Sequence, residues 1–413
     1  MKNLAVLVFS ICLFSVAPIA AQNAKTATDY SNHIHNGVSN NQFIHDEYRA
    51  NQFVPFSNSL RYNRVDGLFL GIGSDIADDD FGPIHIEGLT IKGQLGYSTN
   101  LKQWQYRAGA YKQLGNALKV GAQIINVSTT DDGWRTNQIE NSVTSLISGY
   151  DYHDYYKAEG FQLVSELNLG RYIQVSGSYN ATSFSSLVSN QDYSLFKGGN
   201  LARINPAIDS STDSFYQDNF GASLTINKRP SFLRTFSTKL ELKTELADIG
   251  KLKNPFSYNK YQITSTNYLK LDRSTVLKTR TMVGSITGSA PDFKQFALGG
   301  IGTMRASGYK FYTGNKMVLN NTELIFGRFN SLSMKNIETE GVHLSIFLDS
   351  GWTTNYASAG KDPFSGFDTF AFSELSHNVG AGIGFGILRF ELATPIANSQ
   401  GYTSLWVRLN PTF

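Results

Sequence analysis

From Val342 to Gly351 the apolar residues Val342, Leu344, Ile346 and Leu348 alternate with His343, Ser345, Phe347 and Asp349, a period of two that belongs to a β-strand. One face of that strand would meet an apolar medium, and the other carries an acid. The pattern recurs in "GFQLVSELNLGRYIQVSGSYNAT", where Phe161, Leu163, Leu167 and Leu169 oppose Gln162, Glu166 and Asn168. After a tight turn at Gly170 and Arg171, Ile173, Val175 and Tyr179 oppose Gln174, Ser176, Ser178 and Asn180. In "STKLELKTEL", Leu240, Leu242 and Leu246 alternate with Lys239, Glu241, Lys243 and Glu245. Apolar outside and polar inside is the arrangement of a transmembrane barrel, the inverse of a soluble core.

Strands of this kind run from Arg61 to the end of the chain and number about fifteen, whereas a single-chain bacterial barrel has an even number. Short turns near Gly115, Gly170, Asp272 and Gly386 belong on the periplasmic side, and their alternation with long connections requires one more strand before Gln103. We therefore expect an all-β fold over residues 59–413, a transmembrane antiparallel β-barrel of sixteen strands, with fourteen as the alternative count. One interruption stands out between Asp131 and Glu159. There Ile139, Val143, Leu146 and Ile147 recur at helical spacing, and a short amphipathic helix is expected in a loop packed against the rim.

The remaining composition agrees with export. Residues 1–21 start with a charge at Lys2, continue through an apolar run from Leu4 to Val16 and reach small residues at Ala20 and Ala21, the layout of a cleaved secretory signal peptide. The one cysteine, Cys12, lies inside that run, so the mature chain is expected to hold no disulfide and no cysteine metal site. After it, no stretch approaches the ~18 apolar residues that a spanning helix needs. Closure of strands into a barrel satisfies every backbone group and is the remaining route into a bilayer. Residues 22–58 are polar and without alternation, read as a periplasmic lead-in. Its histidines His33, His35 and His45 suit a solvated tail better than a metal site, and Asp78, Asp79 and Asp80 read as a solvated loop rather than a calcium site. A formal net charge of +3 gives no reason to expect nucleic acid as a partner.

The chain's most distinctive stretch is Phe296 to Trp352. Gly299, Gly300, Gly302, Gly308 and Gly314 punctuate a loop too long and bulky for a hairpin, and it carries one arginine, Arg305. Together with "FLDSG" on the following wall, this stretch resembles the outer-membrane assembly-factor and two-partner-secretion transporter superfamily, whose barrel is also called the bacterial surface antigen domain. In that family a long loop folds into the lumen and carries an arginine, glycine, aromatic motif at its tip. The matching residues here are Arg305, Gly308 and Tyr309, with Ala306 and Ser307 intervening, a departure from the family's pattern. The family's phenylalanine, aspartate, glycine wall pattern matches Phe347, Asp349 and Gly351, and the resemblance implies that Arg305 meets Asp349 and locks the loop. The final strand, with Trp406 on its inner side and Phe413 at its end, is similar to the signal by which the assembly machinery inserts such barrels.

The resemblance implies an outer-membrane location, contact with outer-membrane lipid, and translocation or insertion of polypeptide without nucleotide or other cofactor. It also implies small periplasmic substrate-receiving (POTRA) domains before the barrel, for which residues 22–58 are too short. Either a separate periplasmic partner supplies them, or the barrel has kept its fold and changed its task. No catalytic or metal centre is expected. Gly299, Gly300 and Gly302 lack the Gly-Lys-Ser ending of a phosphate loop, and His343 and Ser345 share an inward face without a recognised nucleophile setting. A passive pore and a structural or adhesive surface protein, working through the long loops near Tyr150, Asn200 and Asp362, remain open.

Overall fold

The computed structural model describes residues 60–77, 87–189, 193–196, 203–227, 230, 234–248, 254–332, 337–357, 362–385, 388–397 and 399–409. Residues 1–21, expected to be a signal peptide, the polar segment 22–58 with its three histidines, the acids at 78–80, the loop around Asn200 and the terminal Phe413 lie outside the described residues.

The chain begins with β1 (Leu60–Asn63), β2 (Gly67–Ala77), β3 (Leu89–Ser98), β4 (Gln103–Leu114) and β5 (Leu118–Thr129), followed by helix α1 (Gln138–Ser148). Then come β6 (Tyr156–Leu169), β7 (Ile173–Ser186), β8 (Ser214–Ile226), β9 (Phe236–Leu246), β10 (Tyr258–Lys270) and β11 (Thr275–Gly288). A small hairpin, β12 (Phe296–Leu298) and β13 (Tyr312–Gly314), precedes β14 (Lys316–Leu332), β15 (Ile337–Thr354), β16 (Ser376–Phe385), β17 (Leu388–Ile396) and β18 (Ser404–Leu409). Leaving the hairpin aside, each strand pairs antiparallel with the next, β11 with β14, into one sixteen-stranded sheet in chain order. Among the described residues no pairing joins β1 to β18. No described helix is long and apolar enough to cross a membrane.

The strand required before Gln103 is β1, and the chain does not run straight on from it into β2. The Asn63 side-chain oxygen instead accepts from the backbone N–H groups of Val65 (2.9 Å) and Asp66 (2.7 Å), an Asx turn that reverses the chain. β1 therefore folds back onto β2, with Asn63 opposite Gly67. A turn held by one asparagine breaks the period of two over too few residues for periodicity to register.

The faces follow the alternation. On β15, Val342, Leu344, Ile346 and Leu348 are exposed on the outer side, while His343, Ser345, Phe347 and Asp349 are buried. On β7, Gln174, Ser176, Ser178 and Asn180 are buried toward the interior, and on β9, Lys239 and Lys243 pair with Glu241. One outer region is covered: Phe367 and Phe370, from the β15–β16 connection, pack over Val283, Val318 and Trp352.

Candidate functional site: the lumen loop and its charge network

The β11–β14 connection folds against the inward faces of the strands that flank it. Leu298 and Met304 are fully buried in a cluster with Met282, Ile286, Met317 and Leu319, which anchors the loop through apolar burial before any charge is considered. Room is made by glycine: a Cβ on Gly351 would meet Met304 Sδ and Leu298 Cδ1. Gly302 has a φ of 73° and a Cβ there would strike the Arg135 carbonyl oxygen, so both conformation and space demand glycine at the crossing of two loops.

Arg305 follows at the tip. Its Nε donates to Asp349 Oδ2 at 2.8 Å, its Nη2 to Asp349 Oδ1 at 2.7 Å, and its backbone N–H to Asp349 Oδ2 at 3.1 Å. The third nitrogen, Nη1, donates to Glu323 (2.8 Å) and Glu391 (3.1 Å). The guanidinium also lies 3.3 Å from the centroid of the Phe347 ring. Asn321 steadies Asp349, donating at 2.7 Å, and its oxygen accepts from Arg280.

The network extends beyond this pair. Arg389 binds Glu323 (3.1 Å) and Glu391 (2.9 Å), and Arg408 pairs with Glu140 on α1 at 2.7 Å, with its Nη1 3.9 Å from Glu391. Signs alternate from the loop tip through β17 and β18 to the helix, and every member is at most 3 % exposed. Buried charges persist when paired and hydrogen-bonded in this way, and deleting one strands its partners. The Arg305 carbonyl accepts from Ser404 Oγ (2.7 Å) and Trp406 Nε1 (2.9 Å), Tyr402 N–H donates to the Ala306 carbonyl, and Ser307 forms a β-bridge with Gly401. The loop tip is thereby bonded to the last strand as well as to β14, β15 and β17.

Tyr309 lies on the other side of the tip, its hydroxyl donating to the Tyr152 carbonyl, under the Arg203 guanidinium at 4.3 Å. Next to it Lys310 bridges Asp132 (2.7 Å) and Asp154 (2.6 Å). Burial raises the Asp132 carboxyl, but the Lys310 ammonium, then Arg135 and His153, bring it down to about 2. Burial pushes the nearby His153 down. Gly308 shows no comparable steric demand, since a Cβ there would meet nothing closer than 3.6 Å.

The structure thus brings Arg305, Phe347, Asp349, Gly351 and Trp406 together, and sets Tyr309 apart in a second cluster. Ser345 Oγ accepts from Arg389 Nη2 at 3.0 Å, which commits that hydroxyl to the network. Glu323, Arg389, Glu391 and Glu140 do not follow from the loop motif. The signal for three of them is an inward charge in an otherwise apolar strand, "TELIF" and "LRFEL". Glu140 sits in a predicted helix, where nothing in sequence points to a partner at Arg408.

A model of the family described as "Family of unknown function (DUF5686) C-terminal domain" matches residues 34–248. No curated protein matches the chain. Among solved structures, BamA from Haemophilus ducreyi lacking POTRA domains 1–3 aligns with a TM-score of 0.54 at 12% identity, over 84% of this chain and 69% of that one. CdiB from Escherichia coli aligns at 0.43 and 14% identity, over 84% and 59%. CdiB from Acinetobacter baumannii aligns at 0.39 and 12%, over 83% and 56%. At this identity the BamA likeness bears on the fold alone.

Proposed function

Because this chain belongs to the DUF5686 family, whose function is unknown, we propose from its architecture that it is an outer-membrane barrel that inserts or translocates polypeptide. The observation that carries this reading is the open end of the sheet: sixteen strands pair in order, and β1 and β18 have no mutual pairing among the described residues. Unpaired strand edges are templates for an added strand. The outward rows of Val342, Leu344 and Ile346 and of Leu405 and Val407 suit lipid contact, which supports the outer-membrane location.

A wide passive pore fits less well, because the loop from Pro291 to Asn315 lies on inward faces with Arg305 in the charge network. Substrate would reach the barrel through a periplasmic partner, and strand addition at an open edge calls for no cofactor.

The test uses the full chain refolded into planar bilayers and liposomes. Wild type should give small, flickering currents that become large in Asp349→Ala and in a deletion of residues 291–313, and it should speed insertion of a small urea-denatured outer-membrane barrel. Large, steady wild-type currents unchanged by either alteration, with no effect on insertion, would refute the proposal in favour of a passive pore.

A further inference from the structure

Helix α1 is built inside out for a loop on a water-filled rim. Its buried residues are polar, Glu140, Asn141 and Ser145, while Ile139 is 60 % exposed and Ile147 39 %. It stands between the two ends of the sheet and hydrogen-bonds the backbone of both. Ser142 Oγ accepts from the N–H of Tyr62 on β1 at 3.3 Å. On β18, Leu409 N–H donates to Glu140 Oε1 at 3.0 Å, and Asn137 Nδ2 donates to the Leu409 carbonyl at 3.1 Å. These are backbone groups of the two strands that flank the gap in the sheet.

The second part of the structure at the gap is Tyr193–Phe196. The N–H groups of Leu195 and Phe196 donate to the Leu146 and Ile147 carbonyls, satisfying the open C-terminal end of the helix. The Tyr62 hydroxyl, on the outward side of β1 together with Leu60, donates to the Tyr193 carbonyl. Leu195 and Phe196 are exposed, and the strands on either side present exposed Leu60, Leu405 and Val407. The polar side of the helix therefore joins the lumen network through Glu140 and Arg408, and its apolar side continues the outer belt of the barrel.

We propose that α1 with Tyr193–Phe196 is a panel of the barrel wall. It closes the gap between β1 and β18 in place of strand pairing, presents Ile139, Val143 and Phe196 to membrane hydrocarbon, and is latched by the Glu140–Arg408 pair. Resting on the polypeptide reading above, the panel regulates that site: an incoming strand gains the β1 and β18 edges only when the panel leaves. The latch shares Glu391 with Arg305, so the lumen loop and the panel are joined by charge.

Two measurements test this. In a Cys12→Ser background, nitroxides placed by Ile139→Cys, Val143→Cys and Phe196→Cys in reconstituted bilayers should be severalfold more accessible to oxygen than to a water-soluble nickel chelate. A nitroxide at the buried Ser145→Cys should be shielded from both. Strong nickel access at 139 and 143 would mean a helix face in water, and shielding from both reagents there would mean a protein cover; either result overturns the panel. The Tyr62→Cys/Ser142→Cys pair, on residues joined by the bond from Tyr62 N–H to Ser142 Oγ, should when bridged by a short bis-methanethiosulfonate abolish insertion of the denatured barrel and restore it on reduction. Insertion that proceeds equally well in the bridged and reduced forms would also overturn the panel. Oxygen-selective access at 139 without insertion by any form would support the panel and count against the polypeptide reading instead.

Discussion

The guanidinium of Arg305 and the carboxylate of Asp349 form a buried bidentate pair at 2.8 and 2.7 Å, and the Arg305 backbone N–H adds a third bond to the same carboxylate. Both side chains are at most 1 % exposed. One residue of β15 thus holds both the side chain and the backbone of the loop tip.

Removing Asp349 leaves Arg305 with Glu323 and Glu391 but takes away its planar partner. Breaking a buried pair costs about 3–5 kcal/mol, and Asp349→Ala is expected to release the tip, seen as rapid cleavage between 299 and 312 by protease in liposomes. Arg305→Lys should release it nearly as well, because an ammonium cannot reproduce the fork. Protection equal to wild type in both variants would show that apolar anchoring by Leu298 and Met304 suffices.

Gly351 is expected to be intolerant of side chains for a packing reason separate from charge. Gly351→Val would drive into Met304 and Leu298 at a cost of about 1–3 kcal/mol. Met304→Ala should recover part of the loss in a double-mutant cycle, measured by urea titration in lipid. Additive effects of the two substitutions would argue against direct contact.

Ile346 lies on the outward row and is 54 % exposed. If that row faces hydrocarbon, Ile346→Arg destabilises the barrel by about 2–4 kcal/mol near the bilayer midplane, read from folding titrations into phospholipid vesicles. A neutral effect would place this row in water.

The Asp132 cluster supplies a pH dependence. Its carboxyl lies at about 2 in the folded chain against an ordinary value of 3.8, so the unfolded chain binds a proton first as pH falls. The stabilisation, on the order of 2 kcal/mol, is complete above about pH 4 and is lost as pH falls toward 2. The difference in melting temperature between wild type and Asp132→Asn should therefore be constant near neutrality and shrink across that interval. A difference that persists at pH 2 would assign the effect to packing.

Much of the wall is legible in the chain because a strand has one local rule. With a period of two, placing Leu344 outside places Ser345 inside, and the same step along β7, β9 and β18 orients most of the barrel. Even the missing strand before Gln103 follows from counting. Its position at Leu60–Asn63 does not, because a turn made by the Asn63 side chain leaves no periodic trace.

Local alternation determines which residues face in, and with them the membrane class of the fold and the inward position of Asp349. It carries no information about which inward charges meet. Arg408 and Glu140 are 268 positions apart, and they pair because the tertiary fold, not the local sequence, brings β18 beside a loop that starts after β5. The same placement buries the polar Glu140, Asn141 and Ser145 of α1 and leaves Ile139 and Ile147 exposed. An amphipathic pattern predicts two faces, and only the surroundings decide which of them is buried.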